Sequence, residues 1–351
     1  MPDIRIAAES DHAVWDAFVQ EQPSAGPYHA FAWKTAVETA YGHRAMYLIA
    51  ENPAGDIAGV LPLTLIKPPL MKGTLVSQPF CDYGGVLAQD ENAAALLVEK
   101  ARELAHSHRA KLEIRCKEAE PCLEDSPDFS VSSHKARMVL DLPGSGETLW
   151  KSLKAKVRSQ VRRPTKDGMV FKLGAANLAD DFYSVFARNM RELGSPVHAK
   201  TWIGAVLEVF GDRARAGIVY KEQTPVAGGI ILKSGGTVSI PWASALSEYK
   251  KSSPNMLLYW GFLEHAADAG AEQFDFGRST PDEGTYRFKA QWGAKPEPLF
   301  WYSTRKTGAA RSESSRTSGN TKRELAAEVW RRLPLALTNT IGPVLRKYIS
   351  L

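Results

Sequence analysis

A chain of 351 residues, 44% hydrophobic and 24% charged, has ordinary globular usage and the length of about two domains, and its net charge of +5 is too small for that size to select nucleic acid or an anionic membrane by itself. Three cysteines, with no second Cys or His pair to match Cys116 and Cys122, argue against a secreted disulfide framework and against a zinc site, and read as reduced thiols. The opening stretch MPDIRIAAESDHAVWDAF places acids where a secretory leader needs a basic start, and no run approaches 18 apolar residues, so a cytoplasmic chain without a membrane span is expected.

In chain order, Tyr47 to Leu63 (YLIAENPAGDIAGVLPL) is an apolar run, a polar turn and a second apolar run, which predicts a β-hairpin turning through Asn52, Pro53, Gly55 and Asp56. A further strand follows, then an amphipathic helix over Glu91 to His108 with Leu96, Leu97 and Leu104 at helical spacing, then the short strand LEIRC at 112–116. HKARMVLDLPGS, starting at His134, is another strand. From about Glu147 a helix runs through Arg163 and stops at Pro164, and a second helix spans Leu178 to Leu193.

The order then repeats. Gly217 to Leu232 (GIVYKEQTPVAGGIIL) is a second hairpin with a further strand behind it, Asn255 to Ala269 is a helix with Leu258, Phe262 and Ala266 on one face, and FDFGR at 274–278 is the closing strand. The two hairpins lie 169 residues apart, from Ile57 to Val226, which marks a duplicated α/β unit. Ala309 to Thr321, rich in Ser, Thr, Gly and Arg, reads as a mobile linker, Lys322 to Leu333 as a basic helix, and LPLALTNTIGPVLRKYISL as the tail. The division is therefore a first domain over 1–133, a second over 134–306, and a linker and helical tail over 307–351 that packs on the first domain. The mixture of basic and apolar residues in the tail also fits an interfacial membrane segment.

Three segments carry chemistry. KSLKAKVRSQVRRPTKDG, residues 151–168, holds Lys151, Lys154, Lys156, Arg158, Arg162, Arg163 and Lys166 with no acid before Asp167. The spacing of Lys151, Lys154, Arg158 and Arg162 puts them on one helical face, able to converge on a phosphate-bearing ligand or to remain a solvated face. Behind Lys250 and Lys251, Ser253 and Pro254 begin a helix whose N-terminus can hold an anion, or is simply a good helix start. FDFGRSTPDEGTYRFKAQWG, residues 274–293, follows a strand end, where ligands collect in α/β sheets, and carries Lys289 between Phe288 and Trp292. A partly desolvated ammonium there can offset negative charge growing on a carbonyl oxygen. No Gly-x-Ser-x-Gly elbow, Walker A sequence, His-Glu-x-x-His motif or Gly-x-Gly-x-x-Gly fingerprint is present, and Cys81 has no local base.

On these segments, over about residues 28–303, the chain resembles the FemAB family, and within it the FemAB-like proteins associated with PEP-CTERM and exopolysaccharide loci. The resemblance implies an α/β fold of two tandem GNAT-like domains with mixed, largely antiparallel sheets flanked by helices. It implies N-acyl transfer, from aminoacyl-tRNA or an acyl-CoA, to an amine of a cell-envelope or exopolysaccharide precursor. Phe288 and Lys289 match the pair whose lysine stabilises the transition state, with Trp292 where a Phe is usual. Arg162, Arg163, Pro164, Asp167 and Gly168 match the basic segment facing acceptor or tRNA phosphates. Lys154, Arg158, Trp242, Arg278, Tyr286 and, near the N-terminus, Lys34 complete the expected substrate and phosphate contacts. The partners implied are a phosphate-bearing sugar or peptide precursor and charged tRNA, or else the chain is a non-catalytic binder of glycan or lipid intermediates. The Gln/Arg-x-x-Gly-x-Gly/Ala loop with which GNAT enzymes hold coenzyme A is replaced by Glu248–Pro254, which disfavours standard acetyl-CoA binding. Only the second copy carries DFGRS and TYRFKAQWG, so the active site is expected there, with the first copy as the opposing wall.

Overall fold

The computed structural model describes residues 2–305 and 316–351, with the side chains of the Arg316–Arg332 helix described from residue 324 onward. Its second copy is built on one seven-stranded sheet, in the order Met169–Gly174, Ala214–Lys221, Thr224–Ser234, Thr237–Ala245, Gln273–Ser279, Ala136–Asp141, Lys295–Pro298. All neighbours are antiparallel except Thr237–Ala245 and Gln273–Ser279. These two run parallel because the helix Pro254–Asp268 carries the chain back along the sheet between them. Pro254 opens that helix, where a missing N–H costs nothing, and the helix buries Leu258, Phe262, Leu263 and Ala266 against the sheet.

The first copy repeats this plan. Strands Leu48–Glu51 and Ile57–Leu61 form the hairpin, and Thr74–Val76 runs parallel to Lys111–Cys116 across the helix Glu91–Ser107. The long strand Thr224–Ser234 of the second copy corresponds in the first to two pieces, Ile57–Leu61 and Thr64–Ile66, separated at Pro62. Proline has no N–H to give the ladder, so the strands of the first copy divide there into sheets of four and six. The duplication and the mixed α/β fold expected from the sequence are present.

The chain passes twice between the sheets of the two copies. Phe129–Ser132 and Ala136–Asp141 follow each other in the chain, as do Lys295–Pro298 and Phe300–Thr304. At the first junction the chain passes from the first copy's sheet into the second's, and at the second junction it passes back. Phe300–Thr304 inserts between Lys111–Cys116 and Phe129–Ser132, while Ala136–Asp141 inserts between Gln273–Ser279 and Lys295–Pro298. The division at residue 134 therefore fits the second sheet, whose strands all lie beyond it, while the first sheet takes Phe300–Thr304 from the second half.

Between the copies lies a shared aromatic core. Trp33, Tyr28 and Phe80 from the first meet Trp202, Phe210 and Trp242 from the second, with Trp33 stacked on Trp242 at 6.2 Å and edge-on to Trp202 at 5.2 Å. Trp33 is fully buried, and its truncation to Ala would cost ~3–5 kcal/mol. The tail closes over this junction: the Ser350 carbonyl accepts from Phe80 N at 2.6 Å, His43 Nε2 pairs with the Lys347 carbonyl, and Gly342 packs on Val197.

Two local readings need correction. The helix expected from Glu147 to Arg163 is two helices, Gly146–Ser152 and Ala155–Lys166, because Leu153 turns into the core and Lys154 is extended. Nor does Pro164 end the second one, since it occupies the last turn with its ring buried. Of the stretch read as a linker, residues 309–315 lie outside the described residues, and Arg316 already begins a helix. The helices His12–Glu21, Phe31–Tyr41 and Lys200–Phe210 have no counterpart in the sequence reading.

Candidate functional site

The parallel strands of the second copy are paired only at Thr237–Gln273, Val238–Phe274 and Ser239–Asp275, and then part. Each strand has a local cause. Ile240 and Pro241 together oppose the single residue Ile231, a bulge at which Pro241 also removes a ladder donor. On the other strand the register slips beyond Asp275, and Gly277 adopts φ +71, a left-handed conformation that favours glycine. The gap so opened is a cleft of about 510 Å³, floored by Ala243–Leu246 and bounded by the start of the Pro254–Asp268 helix, by Thr285, Phe288 and Lys289, and by Asn189, Glu192 and Leu193. Asn189 Nδ2 donates to the Ala245 carbonyl at 3.2 Å, and Ser247 N donates to Glu192 Oε2, so the end of the Ala179–Glu192 helix fixes the cleft wall. Lys250 lines the cleft beside the helix N-terminus, where free N–H groups and the helix dipole favour an anion.

Lys289 stands at the end of the parted strand. Its ammonium donates to the carbonyls of Gly277 at 3.0 Å and Arg278 at 2.7 Å, on the stretch of strand that no longer pairs with Thr237–Ala245. Of three ammonium protons, two are thus committed and one remains for the cleft. Burial pushes Lys289 down to about 8, with Asp82 and Asp275 opposing that shift. Asp82 comes from the first copy: it accepts from Arg278 N at 3.0 Å and pairs with Arg278 Nε at 3.3 Å, while its own carbonyl accepts from Trp301 Nε1. Asp275 is buried beneath, paired with Arg137 at 3.3 Å.

Past Leu193 the cleft adjoins a groove of about 710 Å³. Its walls are Met190, Leu193 and Pro196 on one side and, on the other, tail residues including Trp330, Leu345, Arg346 and Ile349, with Arg278 and Arg331 also lining it. Burial pushes the Arg346 guanidinium down to about 10, so it remains charged at neutral pH. The groove therefore combines apolar walls with three guanidinium groups, of which Arg278 and Arg331 are paired with Asp82 and Glu328, and one carboxylate, Glu324.

Residues 151–290 match the family model of the GNAT acetyltransferase domain. Among solved structures the whole chain is similar to FemX (15% identity, TM-score 0.67, 85% of this chain and 96% of that one covered) and to the C-terminal domain of a putative lysylphosphatidylglycerol synthetase from Agrobacterium fabrum (14%, 0.57, 91% and 96%). It is likewise similar to a tandem GNAT protein from the clavulanic acid biosynthesis pathway (13% identity, TM-score 0.56, 88% and 100% covered). No curated protein sequence matches. The chain carries a GNAT acetyltransferase domain over residues 151–290 and has a FemX-like fold. The splayed strands and the matched GNAT domain thus coincide in the second copy.

The expected site residues divide into three groups. Lys289 and Phe288 line the cleft, Phe288 edge-on to Tyr259 at 5.0 Å, and Arg278 lines the adjoining groove. Tyr286 packs beside Phe288 on the apolar core and Trp242 belongs to the aromatic core between the copies, its ring turned to Trp33 and away from the cleft that its neighbour Ala243 lines. The basic run does not converge. Lys151 sits on a separate helix and pairs with Glu147; Arg158 donates to the Leu153 and Lys151 carbonyls and caps that helix; Arg162 covers the Trp150 ring. Lys154, Arg162 and Arg163 are exposed, and none of the run lines cleft or groove. Lys34 is held between Glu9 and Glu38 at 2.9 and 2.8 Å over the Phe31 ring, which leaves it no part in the cleft. Sequence reasoning missed Asn189, Glu192 and Asp82. Pro241 in the middle of a strand pattern was the signal that could have located the splay.

Proposed function

We propose that the cleft binds an activated acyl donor and that the guanidinium-lined groove holds the anionic part of an acceptor whose amine reaches the cleft past Leu193. The observation that carries this reading is the parted strand pair, with Lys289 at its end and Arg278, the residue after Gly277, lining the groove. The donor expected of a GNAT domain is an acyl-CoA thioester, with its phosphates toward Lys250 and the helix start at Pro254 and its carbonyl toward Lys289. The acceptor amine attacks that carbonyl and the C–N bond forms. The tetrahedral oxyanion is offset by the remaining Lys289 proton, the C–S bond breaks, and the thiolate leaves. The amine proton passes to Glu192, directly or through water, and from there to the departing thiolate.

An aminoacyl ester of tRNA is the second reading of the donor, favoured by the loop Ser247–Ser252, which has no glycine and carries Lys250 and Lys251. The acceptor proposed is an amine on an anionic cell-envelope or exopolysaccharide precursor. Titration calorimetry with acetyl-CoA, charged tRNA and a nucleotide-sugar, on the native chain and on Ala243→Trp, tests the assignment. Saturable donor binding lost in Ala243→Trp supports the cleft; donor binding that Ala243→Trp leaves intact sinks it.

A further inference from the structure

The tail helix Leu335–Arg346 buries Thr338 and Gly342 against the protein and turns a different face outward. Leu337, Ile341, Val344 and Leu345 are all exposed, Val344 at 58%, and at about 100° per residue they form a single stripe. Ile349 extends it past the helix end. Scattered exposed apolar residues need no explanation, but a contiguous stripe does. The stripe is also continuous with the groove, because Leu345 and Ile349 belong to both.

Its charge surroundings say what covers it. Between residues 316 and 351 there are seven Lys and Arg against two Glu, so the excess of five equals the net charge of the whole chain and the remainder is balanced. Arg332, 78% exposed, and Lys347 flank the stripe at its two ends. A protein partner could bury the stripe, but an apolar strip with cationic flanks matches the boundary between lipid head groups and acyl chains. Among the described residues no helix is long and apolar enough to cross a membrane, so the contact is one of lying on the surface.

We propose that this face docks on an anionic bilayer, and that the acceptor is an amphiphile whose head group enters the groove at Arg278 and Arg346 while its apolar part stays with the stripe. The acceptor half of this rests on the reading of the groove given above; the docking half does not. The test is co-sedimentation of the full chain with phosphatidylcholine vesicles with and without phosphatidylglycerol. Binding is expected with phosphatidylglycerol, weakening as salt rises, and falling about tenfold in Leu337→Asp/Val344→Asp, neither of which lines the groove. If that variant fails to fold by circular dichroism, Ile341→Thr/Val344→Thr takes its place. The proposal is overturned if anionic vesicles do not bind the chain, if both variants bind undiminished, or if Leu70→Ser/Met71→Ser, exposed apolar residues elsewhere, abolishes binding instead. It is overturned equally if sedimentation velocity shows a dimer that Leu337→Asp/Val344→Asp dissociates, for then a second copy covers the stripe. Vesicle binding without any acyl transfer would leave docking standing and remove the reading of the groove. Transfer to a water-soluble anionic amine without vesicle binding would do the reverse.

Discussion

The two parallel strand pairs are equivalent in topology and opposite in use. In the second copy the strands part after Ser239 and Asp275 and the space between them stays open. In the first they part after Val76 and Glu113, and the chain itself fills the gap: Ser77 N and Gly84 N donate to the Glu113 and Arg115 carbonyls, and Gln78, Phe80, Cys81 and Tyr83 are buried there. Arg115, 1% exposed, ties the plug together through Glu113, the Cys81 carbonyl and Ser350. One copy thus gives its splay over to packing, and the plug delivers Asp82 to the working end of the other. A fold can duplicate a splayed strand pair while leaving only one of the two open.

Removing the key of the filled splay has the largest expected effect. Arg115→Leu leaves Glu113 and a buried carbonyl without their partner and should lower unfolding free energy by ~3–5 kcal/mol, read by urea denaturation. The corresponding change at the open splay, Lys289→Met, should cost ~10²–10³ in kcat with the fold retained by circular dichroism. An unchanged kcat would confine Lys289 to bracing Gly277 and Arg278.

The pH profile sharpens the same contrast. Because burial lowers Lys289 to about 8, its charge is present below that pH and lost above it, so the native enzyme should show an alkaline fall near 8 that Lys289→Met lacks. Since the shift in this base is downward, the folded state is favoured, not weakened, as pH rises from about 8 toward the ordinary lysine range. Ala243→Trp converts the open splay into a filled one and should raise the donor KM by about tenfold, equivalent to ~1.4 kcal/mol of lost binding, without lowering stability as far as Arg115→Leu does. The smallest effect belongs to Lys34→Met, which breaks an ion pair partly open to solvent and should cost ~1 kcal/mol or less while leaving the acceptor KM unchanged.

Much of the fold was legible because its signals are local. Apolar runs on either side of the polar turns Asn52–Asp56 and Lys221–Pro225, and the helical spacing of Leu258, Phe262 and Ala266, determine hairpin and helix without reference to the rest of the chain. Lys289 and Phe288, singled out by their motif, line the cleft. The basic run misleads because sequence gives charge but not the groups that consume it: Arg158 is used by a helix end and Arg162 by Trp150. Trp242 misleads because an aromatic beside a strand end reads the same whether it meets a ligand or Trp33. The passages between sheets were illegible for a different reason. Nothing within ARMVLD or FWYST states which sheet it joins, and the partners lie far away along the chain.

That crossing bears on why the plugged copy persists at all. The first sheet takes the inner strand Phe300–Thr304 from the second half, whereas all seven strands of the second sheet, Ala136–Asp141 included, lie beyond residue 133. A fragment ending near residue 133 would expose two raw sheet edges, and its complement would keep its own sheet whole but leave Phe300–Thr304 without a ladder. Deleting the first half would therefore strand Phe300–Thr304 and take away Asp82, which holds Arg278, and Trp33, which stacks on Trp242. The pairing of residues 300–303 with 113–116 also closes a loop of nearly two hundred residues, so the first sheet has to wait for a strand that leaves the ribosome long after its neighbours.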